Sequence, residues 1–230
     1  MSSIKTIGLD ADDTLWHNER FFSEAQNMLA DVLSEHITDS DLAAVLLEMQ
    51  RKNVPIMGYG IKSFTLSMMD TALAVSNGKL DAAAMVQILD IGREMMAHPV
   101  ELLPAVADTL EKMSHNYELV LITKGDLVDQ ERKVHMSDLG NWFSHVEIVS
   151  EKHPQTYQSI FGRFGGLANS AMIGNSVKSD VLPAVQAGAW GIHVPYSVTW
   201  ELETVETIPE HPRYFEADDI IHAANIIANI

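Results

Sequence analysis

The stretch Ile4-Lys5-Thr6-Ile7-Gly8-Leu9-Asp10-Ala11-Asp12-Asp13-Thr14 decides how the chain is read. Ile4 to Leu9 is a short, mostly apolar run with β-branched residues, which predicts a buried strand. It ends in Asp10, Asp12 and Asp13, so the acids sit at the strand's C-terminal edge. Two carboxylates one residue apart point the same way on an extended segment, but a tight turn can aim one inward and turn the other toward solvent and substrate. One of Asp10 and Asp12 could then attack an electrophilic phosphorus while the other protonates the leaving oxygen.

From Glu19 onward the spacing is helical. Phe22, Ala25, Leu29, Val32 and Leu33 share one face, and Leu42, Val45, Leu46 and Met49 repeat that arrangement after Asp39-Ser40. Pro55, Gly58 and Gly60 mark a break. Helices are then expected over 64–75 and, after the Asn77-Gly78 turn, over 82–96, with His98-Pro99 closing the block. Beyond it strand and helix alternate: helix 105–113, strand 118–122, helix 126–136, strand 145–149, helix 157–164, strand 171–173, helix 179–187, strand 191–194 and a last helix from Asp219. Strict alternation implies a parallel sheet covered on both faces. The first strand has no partner before this second block. The expected fold is therefore α/β: a three-layer Rossmann-like parallel-sheet core over 1–18 and 98–230, with an inserted all-α helical domain over 19–97.

Ligands of open α/β sheets sit at the carboxyl ends of the strands. The residues placed there are Asp10 to Thr14, Thr123-Lys124-Gly125, Ser150-Glu151-Lys152 and Gly174-Asn175-Ser176-Val177-Lys178-Ser179-Asp180. A carboxylate attacking a phosphate dianion needs its charge offset, and Mg²⁺ on oxygen ligands together with a lysine supplies that. Thr123 and nearby backbone N–H groups would hold the phosphoryl oxygens. Lys124 and Lys178 flank the motifs and could add local positive potential. Asp13 reads as a turn cap, Trp16 as packing, most methionines as core filling, and Tyr59, Lys62 and Phe64 as a glycine-flanked segment able to approach a ligand.

Composition narrows the chemistry. Fifteen Lys plus Arg against thirty-two Asp plus Glu gives a net charge of −17 over 230 residues, a field that repels nucleic acid. With no cysteine, disulfides, thiolate nucleophiles and Cys-ligated metals are excluded. The N-terminal residues turn acidic before a signal-peptide core develops, and no window is long enough to cross a bilayer, so a soluble cytoplasmic protein without a membrane partner is expected.

In order and spacing the four clusters resemble the motifs of the haloacid dehalogenase superfamily over nearly the whole chain. Asp10, Asp12 and Thr14 match its Asp-x-Asp-x-Thr, Thr123 its strand-terminal Ser or Thr, Lys152 its lysine, and Gly174-Asn175 to Asp180 its acidic fourth motif. The resemblance implies that Asp10 is a nucleophile forming an aspartyl phosphate, with Asp12 as general acid and then base. It implies further that Thr123 binds phosphate and that Lys152 neutralises Asp10 and the phosphoryl group. Asp10, the backbone carbonyl of Asp12 and the fourth motif, Asn175 and Asp180, would surround Mg²⁺, and Lys124 is a candidate substrate contact. The helical block falls where that family inserts a cap, which would close over a small phosphorylated metabolite and exclude protein or nucleic-acid substrates. An apolar cap face could equally pair with a second copy in a homodimer or rest on the core.

The chain departs from the pattern at Asn175, which stands where an acid is expected. Its carbonyl oxygen carries no charge, so Asp180 would have to contribute directly or through a water for tight Mg²⁺ binding. The dehalogenases of the superfamily need no metal and lack the second aspartate of the first motif. Asp12 therefore points to a phosphatase, while Asn175 leans toward a metal-independent 2-haloacid dehalogenase or a catalytically weak binding protein.

Overall fold

The computed structural model describes residues 4–37, 41–207 and 210–230; Met1 to Ser3 and the expected Asp39-Ser40 helix break lie outside the described residues. The chain divides into two compact units. One comprises Met1–Glu19, Val100–Lys124 and Arg132–Ile230, the other Arg20–Pro99 with Gly125–Glu131.

The first unit is built on six parallel strands, β1 (Thr6–Leu9), β2 (Glu118–Lys124), β3 (His145–Val149), β4 (Ser170–Gly174), β5 (Trp190–His193) and β6 (Tyr214–Glu216), in the order β3-β2-β1-β4-β5-β6. β1 is central, with Gly8 opposite Val120 on one side and Met172 on the other. Alternation along the strands sorts side chains into two cores. Ile7, Leu9, Leu119, Leu121, Ala171 and Ile173 pack with Leu110 of the helix Val106–Ser114 and Ile227 of the helix Ile220–Asn229. Val120, Ile122 and Met172 face the opposite way, against Tyr157 and Phe161 of the helix Pro154–Arg163 and Ala184 of the helix Leu182–Ala187. Apolar side chains on both faces explain why these strands read as unbroken hydrophobic runs. This is the three-layer α/β core expected from the alternation.

β6 adds a strand beyond those the sequence pattern predicts, because three residues at a sheet edge are too few to show a period. The expected helix over 179–187 is instead a π-helical turn, Val177–Val181, followed by Leu182–Ala187, with Pro183 in the first turn where its missing N–H breaks no bond.

In the second unit, α1 (Glu19–Val32, beginning at the last residue of the first unit), α2 (Leu42–Met57), α3 (Ile61–Val75) and α4 (Ala82–Ala97) bury Leu29, Leu46, Phe64, Met68, Ile88 and Ile91 in their own core. Asp41 and Asp81 cap α2 and α4 by accepting from the N–H groups of Ala44 and Ala84. Pro55 does not break α2 as expected; it lies inside the last turns, and the helix stops at Gly58, whose φ of 77° suits glycine. The Asn77-Gly78 turn does form, with both residues at positive φ. Met68 and Met95 fill this core, whereas Met57 is exposed. Lys62 pairs with Asp126 of the same unit at 3.0 Å.

A Cβ on Gly8 would come within 2.9 Å of Ile122 Cδ1 and Phe161 Cζ and 3.0 Å of Met172 Sδ. Gly8→Val should therefore destabilise the protein by roughly 1–3 kcal/mol through overpacking. Urea unfolding at unchanged m-value checks this; an unaltered midpoint would show that the sheet face has room.

Candidate active site

The turn after β1 sends its acids in different directions. Asp10 continues the sheet, its N–H donating to Ile173 O at 2.9 Å. Asp13 adopts φ 61°, a left-handed conformation that Asp tolerates better than most residues, and its N–H donates to Trp16 O. Its carboxylate accepts the N–H groups of Asn18 and Glu19 and so caps the start of α1, as its sequence position suggests.

Asp10 is buried and accepts hydrogen bonds from Lys152 Nζ at one oxygen and Thr14 Oγ1, at 3.1 Å, at the other. Lys152, buried in the segment after β3, also donates to Asp180 Oδ1 at 2.6 Å. The ammonium thus sits between two buried carboxylates. Asp180 Oδ2 accepts the Ser176 N–H at 2.9 Å, and Ser176 Oγ accepts the Ser179 N–H at 3.0 Å, which closes the π-helical turn. Such turns break the regular ladder to aim particular groups. Asp180 also explains Gly174, since a Cβ there would lie 2.3 Å from Asp180 Oδ2.

Asn175 is tied to the first motif by Thr14: its N–H donates to Thr14 Oγ1 at 3.0 Å, and its Oδ1 lies 3.3 Å from the same hydroxyl. His193 Nε2 lies 3.0 Å from Asn175 O. Asp12 stands apart from this group. Its Oδ1 accepts Trp16 Nε1 at 2.6 Å, and both its oxygens accept Lys133 Nζ, at 2.7 and 2.8 Å.

Thr123 is buried at the C-terminal end of β2. Beside it in sequence, Lys124 donates to Glu203 Oε1 at 2.6 Å, Ser179 Oγ at 2.8 Å and Glu151 Oε1 at 3.4 Å. Glu203 also accepts from Ser176 Oγ and Ser179 Oγ, and Lys178 holds the same loop through Leu202 O at 2.6 Å. Lys124, read as a substrate contact, therefore anchors the Glu203 loop to the fourth motif. Burial would raise the Glu203 carboxyl, but Lys124 and the two serines outweigh it and hold it below the usual range.

The sequence did not point to Trp16, Lys133 or Glu203 as site residues. For Lys133 a signal existed: Asp129, Gln130, Lys133 and Ser137 form a polar stripe at helical spacing, and all four are buried. Glu203 lies 79 residues from Lys124 and carried no such signal.

Asp10 and Asn175 offer hard oxygen donors on either side of Thr14, which suits Mg²⁺, an ion that needs only one or two carboxylates and keeps several waters. Burial, then the Asp180 charge, pushes the Asp10 carboxyl up to about 7 against the pull of Lys152, so a cation there would relieve underneutralised charge. Asp180 accepts one hydrogen bond at each oxygen, from Lys152 and from the Ser176 N–H. Among the described residues no three His, Cys, Asp or Glu side chains gather as a metal cage.

Burial also raises Asp13 to about 7, with Asp12 and Asp10 adding to it and the Asn18 and Glu19 N–H groups opposing. Glu19 rises to about 8 by burial and the charges of Asp13, Asp12 and Glu203. Carboxyls raised by folding stabilise the folded state fully only below their ordinary range, and that contribution is lost progressively as pH climbs from there to about 7 for Asp13 and about 8 for Glu19. The metal-free protein should melt lower at about pH 8.5 than at about pH 5.5. Asp13→Asn keeps an acceptor without a buried charge and should stabilise at both values, by roughly 1–3 kcal/mol more at the higher pH than at the lower. An equal effect at both would show that charge at Asp13 is not the cause.

All of these site residues belong to the first unit. The sequence model of haloacid dehalogenase-like hydrolases matches residues 4–188. A haloacid dehalogenase-like family hydrolase from Xanthomonas campestris is 36% identical, over 99% of this chain and 92% of that one, with a TM-score of 0.89. More distant structures share the fold: a 2-haloacid dehalogenase from Pseudomonas syringae (20% identity, 98% and 99% coverage, TM-score 0.64) and a predicted phosphoglycolate phosphatase from Haemophilus somnus (19%, 98% and 99%, 0.65). No curated protein matches the sequence. The chain belongs to the haloacid dehalogenase-like hydrolases.

Proposed function

We propose that this hydrolase is an Mg²⁺-dependent phosphatase that cleaves a small phosphorylated metabolite through an aspartyl phosphate on Asp10. The observation that carries this reading is that two acids of one turn have separate partners: Asp10 is buried against Lys152 and Thr14, Asp12 is held by Lys133 and Trp16. Carboxylates in different environments can take different protonation roles. An alkoxide leaving phosphorus needs a proton, whereas a halide does not, so a second acid beside the nucleophile favours ester hydrolysis. The net charge of −17 favours a small phosphate over a polyanion.

In this reading a carboxylate oxygen of Asp10 bonds to phosphorus as the ester P–O bond breaks, and Asp12 gives its proton to the departing oxygen. Water then attacks the same phosphorus, Asp12 takes up its proton, and the bond to Asp10 breaks to release phosphate. Lys152 keeps Asp10 aimed and offsets negative charge, with Asp180 holding the lysine. The buried Thr123 hydroxyl would hold a phosphoryl oxygen. Asp10, the Asp12 carbonyl and Asn175 would hold Mg²⁺, which supplies charge neutralisation to the phosphoryl group. Asn175 weakens that site by one charge and is the specific feature favouring the second reading, a metal-independent dehalogenase.

Hydrolysis of p-nitrophenyl phosphate should require Mg²⁺, stop with chelator, and fall at least about 10³-fold in Asp10→Asn. Failure across a broad panel of small phosphates, with halide release from 2-chloropropionate in chelator, would replace the phosphatase by the dehalogenase. Asn175→Asp should lower the Mg²⁺ concentration for half-maximal rate by about tenfold or more; an unchanged titration would remove Asn175 from the metal site.

A further inference from the structure

We propose that Lys133 is a positioning residue for Asp12, acting with the Trp16 indole to set the orientation of the acid–base carboxylate. The inference rests on Asp12 being the group that exchanges a proton with the leaving oxygen. Lys133 is buried, and a buried ammonium is retained only where its donors are met. They are met by Asp12 Oδ1 and Oδ2, at 2.7 and 2.8 Å, and by Asn18 Oδ1 at 3.1 Å. Trp16 approaches the same carboxylate from its own side, its Nε1 lying 2.6 Å from Asp12 Oδ1.

Trp16 cannot readily move. It is 1% exposed, packed in the core, and its backbone bridges to both Asp12 and Leu102. One fixed donor still leaves the carboxylate free to swing about that bond, and the second donor, gripping both oxygens, removes that freedom. Proton transfer demands a heavy-atom approach of about 2.6–3.2 Å, so a swinging carboxylate loses rate without losing substrate affinity. Lys133 also gives Asp12 a cation of its own. Lys152, committed to Asp10 and Asp180, need not be shared between the two acids of the turn.

The test is a double-mutant cycle on the full-length protein with Mg²⁺, using p-nitrophenyl phosphate and phenyl phosphate as probes. Phenoxide is the poorer leaving group and depends more on a proton donor. Lys133→Met should lower kcat by about tenfold or more, with the larger loss on phenyl phosphate and little change in KM. In the Asp12→Asn background the same substitution should cost less than about threefold, because residues acting as one unit are non-additive. Lys133→Arg should recover part of the rate. Additive losses, or equal losses on the two esters, would mean that Lys133 works independently of Asp12 and would overturn the proposal. Native rates in Asp12→Asn would sink the acid–base reading itself, and the proposal with it. If Lys133→Met fails to fold, the two-ester comparison on Lys133→Arg decides by the same criterion. If neither ester is turned over, the crystal structure of Lys133→Met decides: an Asp12 carboxylate still seated on Trp16 in its present orientation overturns the proposal, and a rotated one supports it.

Discussion

One buried ammonium ion organises the catalytic end of the sheet. Lys152 lies between Asp10 and Asp180, and the three side chains come from the loops after β3, β1 and β4. Two carboxylates could not be buried side by side without it, since each would raise the other's affinity for a proton. Held this way, the lysine stays protonated even though burial opposes its charge. Much nearby geometry follows. Asp180 must lie over residue 174, which leaves no space for a Cβ there, and must reach back to the Ser176 N–H, which bends the following turn into its π-helical form. Burial, then the charges of Asp180 and Asp10, pushes the Tyr157 hydroxyl well above its usual range, and that hydroxyl donates to Ser179 O.

Three lysines around this site are paired with carboxylates: Lys152 with Asp10 and Asp180, Lys133 with Asp12, and Lys124 with Glu203. In a chain with more than two acids for every base, pairing of this kind gives individual carboxylates a fixed partner that aims them. It also separates tasks. Lys124 and Glu203 form a clasp between β2, the fourth motif and the loop after β5, fastened further by Ser176 and Ser179. The clasp is structural in the sense that its charges are spent on one another, yet it fixes the backbone on which Asn175 sits.

The architecture was legible because burial leaves a periodic trace. A strand buried on both faces must be apolar at nearly every position, as in Leu119 to Ile122, and a helix against a core must repeat its apolar residues at helical spacing, as in Ala25, Leu29 and Leu33. Where that trace was short or ambiguous the reading failed. β6 has only three residues, and the turn at 177–181 is shaped by hydrogen bonds to Asp180 and Ser176 rather than by any pattern of hydrophobicity. Of Pro55, Gly58 and Gly60, the proline lies inside the last turns of α2, where its missing N–H forfeits only one bond, and Gly58 ends the helix.

By itself the sequence determined the α/β core, the inserted run of helices and the set of polar groups at the strand ends, because local periodicity and strand-end position are properties of consecutive residues. Which of those groups meet was decided by tertiary structure alone. Lys133 reaches Asp12 across 121 positions and Glu203 reaches Lys124 across 79, distances over which no local spacing constrains an approach. The pairing follows from the cost of burying charge: once the sheet had brought these strand ends and helices together, each buried ammonium had to find the nearest carboxylate, and those partners existed only in the folded chain.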